Sequence, residues 1–316
     1  TDMIRGEVKV MVKIHMMKAY EGDFIWLSYG DIEKEYHILI DGGVKDCGER
    51  YADVIRFISV KGETIEAIIL THIDCDHIAG ACEGLAKVDA KVLQGTVKKI
   101  VFNTSEKIYK EILVSKNSGG YGVKEGIEFW TKLKEKGIVD RIIERTIAGD
   151  IISLANGALL KVISPGEEQL KKLLDKWETY EKEHTPVAYS PNLEQVKKNL
   201  DDLMRVRTKT DGSVNNASSI AFLFEYQDIK GAFLGDSKPS VCIEGLKKFN
   251  IKDVYSLDFI KLSHHGSISN TNLKLLKKLS TVNYLLSTNG HEKKVPSKVI
   301  ICLLYTSDAA DDSLRV

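Results

Sequence analysis

Four side chains able to hold a metal ion fall within six residues, Thr71-His72-Ile73-Asp74-Cys75-Asp76-His77-Ile78-Ala79-Gly80. Imidazoles and carboxylates are the ligands that suit zinc, manganese or iron. Ile73 and Cys75 separate them, as expected of a sharp loop that points alternate side chains one way. A plainer reading, a polar loop whose acids cap the next helix, needs only Asp76 and leaves two histidines unexplained. Two further clusters repeat the chemistry: Phe233-Leu234-Gly235-Asp236 and Lys261-Leu262-Ser263-His264-His265-Gly266-Ser267. Four of the eight histidines thus fall in two of these strand-terminal segments, far apart in the chain. His15, His37 and His184 stand alone and are expected to be structural hydrogen-bonding groups.

Each cluster follows an apolar run of strand length. Ile65 to Thr71 precedes the first, Gly231 to Leu234 the second and Phe259 to Leu262 the third. Strands are also expected over residues 8–17, 24–30, 35–43, 99–102, 218–226 and 283–287, with a hairpin over 151–164 turning at Asn156-Gly157. Helical patterns cover residues 50–61, 79–88 and 126–136. Residues 166–209 read as two charged helices separated by Pro186 and Pro191, a solvated insertion in the main domain or, in a sharper reading, a lid. Alternation of strands and helices predicts an α/β layered fold, in which strand ends face one edge and build the site there.

The chain has 316 residues with 45 basic and 45 acidic side chains, a formal net charge of zero. Bulk charge therefore does not hold it to a polyanion; any such specificity must be local. At 43% apolar and 28% charged it has the composition of a globular protein. Five scattered cysteines make no disulfide framework and no CxxC zinc pair, which is expected of a cytosolic protein. Residues 302–316, CLLYTSDAADDSLRV, look like an in-frame translation of a sequencing-library adaptor and are excluded from fold expectations, leaving 1–301 as one domain with a helical insertion at about 166–214.

Together, Glu21-Gly22-Asp23, Ile40-Asp41-Gly42-Gly43, THIDCDHIAG, Asn215-Asn216-Ala217-Ser218, FLGD, KLSHHGS and Ser287-Thr288-Asn289-Gly290 resemble, in order, the metallo-β-lactamase superfamily. Within it they resemble the hydrolase domain of bacterial ComEC-type competence proteins. The resemblance implies a four-layer αββα sandwich with two divalent metal ions, zinc or manganese, at one edge. Asp76 and His77 would hold one ion with a histidine of the His264-His265 pair, His264 being preferred; His72 and Asp74 would hold the other, and Asp236 would bridge. Asp41, Asn216 and Ser267 would support these ligands. Asp74 stands where most of the superfamily has histidine, and a later histidine is replaced by the Asn215-Asn216 segment, which makes the first ion's site oxygen-rich. Val295-Pro296 stands where a His-Pro is frequent, and His291 is out of register.

The implied chemistry is hydrolysis by water made acidic between the two ions. Asp76 or Asp236 would orient that water, and Lys261, His265 or Ser267 would stabilise charge on the electrophile. Two dications against Asp74, Asp76 and Asp236 leave one positive charge, suited to an anionic phosphodiester such as DNA or RNA. Carboxylic esters, thioesters or lactams are the alternative substrates. An iron redox site and a non-catalytic interaction module in a defence or competence system are the rival readings. No membrane partner is expected.

Overall fold

In the computed structural model, residues 2–5, 10–103, 123–180, 211–290, 295–302 and 304 are described. The first sheet is built from β1 (Asp2–Arg5), β2 (Val10–Met16), β3 (Ile25–Gly30), β4 (Glu35–Ile40), β5 (Thr64–Ile69), β6 (Ile100–Val101) and β7 (Ile142–Ile143), ordered as they occur in the chain. Its first four strands are an antiparallel meander; β4 to β7 are parallel. The second sheet uses β8 (Ile151–Ser153), β9 (Leu159–Ser164), β10 (Ala221–Tyr226) and β11 (Ile229–Phe233). Past the short strand β12 (Tyr255–Ser256) it continues with β13 (Phe259–Lys261) and, past β14 (Leu279–Ser280), with β15 (Tyr284–Leu285). Its order is β15-β13-β11-β10-β9-β8, while β12 and β14 pair separately.

Alternation along these strands decides the layers. In β3, Ile25, Leu27 and Tyr29 face the second sheet; in β10, Phe222 and Phe224 meet them from the other side. Period-two side chains make both sheets two-faced, and each has a second apolar face to cover. Leu39, Ile65, Ile68 and Ile100 pack under α1 (Gly48–Val60), α2 (Cys75–Lys87), α3 (Ala90–Thr96) and α4 (Val123–Glu135). After α5 (Glu167–Tyr180) and the single turn α6 (Val214–Ala217), Ile163, Leu223, Ala232 and Ile260 pack under α7 (Pro239–Lys248) and α8 (Leu273–Lys278). The result is the expected αββα sandwich with three apolar cores.

Most elements lie where the apolar runs predict them. One boundary matters for the site: α2 begins at Cys75, so Asp76 and His77 are in its first helical turn rather than in a free loop. Helices α3, α7 and α8 have no counterpart in the sequence expectations. Of the two charged helices expected over 166–209, the first is α5, and residues 181–210, with His184, lie outside the described residues. His291 and almost all of 302–316 also lie outside them.

Parallel pairing brings the site loops together. Ile40 pairs with Ile69, so the residues after β4 and β5, Asp41 and Thr71-His72, emerge side by side. In the second sheet Phe233 pairs with Lys261 and Lys261 with Leu285, which delivers Asp236, His264-His265 and Ser287 to one edge. Thr71 C=O accepts from Ile220 N–H at 2.8 Å, joining the sheets at that edge.

Candidate metal centre

The chain reaches the edge through close backbone contacts. A Cβ on Gly22 would lie 1.4 Å from the Asp76 carbonyl oxygen, and one on Gly80 would lie 2.0 Å from that of Gly42. Only glycine permits either approach. The Glu21-Gly22-Asp23 turn and the Asp41-Gly42 turn are thereby seated against the start of α2. Asp74 occupies the N-cap of α2, yet its side chain makes no capping bond. Its carboxylate accepts from the Asn215 side-chain amide on one oxygen and turns the other to His72 Nε2, 3.5 Å away.

Hydrogen bonding fixes which nitrogen of each histidine carries the proton. His77 Nδ1 lies 2.8 Å from Asp41 Oδ2, and His265 Nδ1 lies 2.9 Å from the Ser287 carbonyl. Both partners only accept, so both Nδ1 atoms donate. Thr71 Oγ1 gives its single proton to Asp41 Oδ2 at 2.7 Å and therefore accepts from His72 Nδ1 at 3.0 Å. Asn270 Nδ2 donates to Asp211 Oδ2 and to the Asp236 carbonyl, both at 2.9 Å, so its Oδ1 accepts from His264 Nδ1 at 2.8 Å. These locks, two of them sharing Asp41, leave the four Nε2 atoms as the free ends of the rings.

Asp236 stands beside three of those ends, 3% exposed. Its Oδ1 is 3.6 Å from His77 Nε2; its Oδ2 is 3.8 Å from His72 Nε2 and 3.6 Å from His264 Nε2. Ligand atoms of Asp76, His77 and His265 lie within 4.8 Å of one another, as do those of His72, His77 and Asp236. The buried Nε2 atoms of His72, His77 and His265 and Oδ1 of Asp236 have no hydrogen-bond partner among the described residues. Bare lone pairs facing a carboxylate repel unless positive charge lies between them. Two ligands on a tetrahedral ion with bonds of ~2.1 Å are ~3.4 Å apart. The four nitrogen–oxygen separations, 3.5 to 3.8 Å, are close to that spacing. The residues present therefore fit divalent cations.

The same demand for positive charge governs titration. Burial opposes charge on His72 and His77, but the Asp74 and Asp236 carboxylates outweigh it for His72, and Asp236 and Asp41 for His77. Both pKa values rise, that of His77 well above its ordinary value. Burial also opposes charge on Asp236, and the surrounding imidazoles, His264 foremost, still hold its carboxyl well below the usual range. For His265 burial dominates and lowers the pKa.

Asp41 is fully buried and holds both Thr71 and His77. Asn216 donates to Asp211 at 2.7 Å and lies 3.5 Å from His264 Nδ1. Lys261 is 1% exposed and bonded to Asp23 and the Leu262 carbonyl, so it does not reach a substrate; it neutralises Asp23, whose other oxygen is 3.6 Å from His265 Nδ1. Ser267 Oγ accepts from the Ser269 backbone, and Ser267 N–H donates to the His264 carbonyl, a turn-forming role. His15 stacks on Trp26, and His37 is buried between Trp26 and Glu63.

Sequence reasoning gave no role to Asp23, Thr71, Asn215, Asp211 or Asn270. Asp23 and Asn215 lay inside quoted motifs; Thr71, which begins another, had only its place at a strand end. Asp211 and Asn270 carried no pattern that could have marked them.

Residues 31–135 match the model of the Metallo-beta-lactamase superfamily. That segment contains Asp41, His72, Asp74, Asp76 and His77 and stops before Asp236 and the histidine pair. No curated protein matches the chain. Among solved structures, a metallo-beta-lactamase from Staphylococcus aureus subsp. aureus COL is 14% identical, with TM-score 0.37, over 95% of this chain and 67% of that one. A CmlA beta-hydroxylase variant is 13% identical, with TM-score 0.41, over 96% of this chain and 50% of that one. A diphosphatase from the PhnP family is 16% identical, with TM-score 0.37, over 84% and 72%. At these identities and scores the likenesses carry no argument about activity. The chain spans only half the length of the second.

Proposed function

We propose that the protein is a metal-dependent phosphodiesterase acting on nucleic acid. The observation that carries the metal claim is the convergence of the His72, His77 and His264 Nε2 atoms on the buried Asp236 carboxylate, with no hydrogen-bond partner among the described residues for the first two. His72, Asp74, Asp76, His77, Asp236, His264 and His265 would hold two divalent cations. Bound there, the ions would make a water molecule acidic enough to ionise near neutral pH and withdraw charge from the scissile group.

The chain supplies the rest. Asp41, Thr71, Ser287 and Asn270 hold the four rings with their lone pairs inward, so little reorganisation accompanies reaction. Asp76, in the first turn of α2, sits with His77 and His265 and would orient the attacking water. His264, 25% exposed at its side chain, and Asp74, 34%, mark the open side from which substrate approaches. The phosphodiester assignment rests on charge: Asp74, Asp76 and Asp236 leave two dications one positive charge in excess. The ordered motifs resembling the ComEC-type hydrolase domain support nucleic acid as the polymer.

Bis-p-nitrophenyl phosphate and single-stranded DNA tested with zinc or manganese should be cleaved, and Asp236→Ala should remove cleavage while circular dichroism stays native. Cleavage of thioester or lactam substrates alone would transfer the reading to acyl hydrolysis. Binding of no cation by the purified chain would refute both.

A further inference from the structure

The superfamily resemblance places one histidine of the pair on a single ion and gives the other no metal to hold. The geometry separates them. His264 (φ 47°, ψ 54°) and His265 (φ 54°, ψ 26°) both adopt the left-handed backbone, and their rings diverge, with planes at 71° and centroids 5.7 Å apart. His264 Nε2 faces Asp236 Oδ2, the oxygen that His72 Nε2 also faces, while His72 in turn approaches Asp74. His265 groups with Asp76 and His77, and His77 faces the other oxygen, Oδ1. Asp236 thus divides the ligands between its two oxygens.

We propose that the adjacent histidines ligate different ions: His264 completes a centre with His72 and Asp74, and His265 completes one with Asp76 and His77, Asp236 giving one oxygen to each. His264 then supplies the nitrogen that the Asn215-Asn216 segment does not. Each centre has two imidazoles, one carboxylate of its own and a share of Asp236. Asn270 is a positioning residue for the first centre, because its Oδ1 holds His264 Nδ1 and is itself held by Asp211 and the Asp236 carbonyl. This division rests on the metal reading above, and its failure can be told from failure of that reading.

The test is zinc stoichiometry and affinity on the full chain, by calorimetric titration of chelator-stripped protein and elemental analysis, with circular dichroism as the fold control. Asparagine tolerates left-handed backbone, so His264→Asn keeps the turn. The wild type should bind two ions and His264→Asn one. Adding His72→Ala, in the same centre, should still leave one; adding His77→Ala, in the other, should leave none. Asn270→Leu should weaken one ion ~10- to 100-fold and leave the other unchanged. Two ions retained at unchanged affinity in His264→Asn, or one retained in His264→Asn with His77→Ala, would overturn the division with the metal reading intact. No zinc on the wild type would overturn both.

Discussion

Among the described residues, two clusters combine histidine with carboxylates at metal-binding separations, and they differ in what their lone pairs do. Glu35, His37 and Glu63 lie within 4.8 Å of one another, as the edge residues do. In that cluster Trp26 Nε1 donates to His37 Nδ1 at 3.1 Å, so His37 carries its proton on Nε2 and gives it to Glu63 at 2.8 Å. Lys13 and Lys61 balance Glu35, and Lys61 also balances Glu63. Every charge there has a counter-charge from the chain. At the edge all four histidines donate from Nδ1 instead, and Asp74 and Asp236, beside the Nε2 atoms, have no lysine or arginine partner among the described residues. Proximity of ligand types is common to both places; unmet lone pairs belong to one.

Asp236→Asn should separate the clusters most sharply. It removes the charge both centres share, so zinc stoichiometry should fall from two towards zero and hydrolysis to background. If stoichiometry stays at two, Asp236 is not the shared ligand. Asp41→Asn is expected to have the next largest effect. An amide can present a donor to His77 Nδ1 and release its lock, costing ~10- to 100-fold in zinc affinity, readable by competition with a chromophoric chelator. His37→Phe keeps the ring volume but strips both hydrogen bonds, leaving Trp26 Nε1 unpaired. It should lower stability by about 1–3 kcal/mol in denaturant titration and leave both zinc affinities unchanged. A change in zinc stoichiometry in that variant would erase the distinction.

What sequence could and could not show divides along the same line. His72, Asp74, Asp76 and His77 declare themselves because a helix start and a strand end must deliver them within six residues. Asp236 and the histidine pair are legible as acids and imidazoles at strand ends, and parallel pairing places those ends together. Tautomer locks are not legible: Asn270, Ser287 and Thr71 act through a single polar atom placed by tertiary contact, and nothing periodic marks such an atom. Lys261 shows the converse hazard. Beside the histidine pair it reads as a charge-stabilising group, yet its strand runs through the sandwich and Asp23 is waiting for it. The αββα layers were readable because alternation in the strands fixes two faces per sheet; α7 and α8, which cover the second sheet, are short helices of ten and six residues and offer few turns over which a helical period can show.

The smallest expected effect is in the pH dependence of the satisfied cluster, and its sign follows from burial. Burial lowers the His37 pKa below 6.5 against the pull of Glu63. Between the folded and unfolded values the unfolded chain binds more protons, so stability falls as pH falls. The share due to neutral His37 is complete above about 6.5 and is lost progressively below it. Burial raises the Glu35 pKa, but Lys13 and Lys61 outweigh it and leave the carboxyl below 4.5, so its share persists until pH falls through the carboxylate range. The stability difference between wild type and His37→Phe should therefore be constant from pH 8 to pH 7 and shrink by pH 5. His37 and the edge histidines share no hydrogen-bond partner, so the edge site's own titration cancels in that difference. A difference that grows on acidification would mean that His37 is charged in the folded protein, and the two clusters would then be alike in drawing a second proton onto histidine despite the lysines around Glu35 and Glu63.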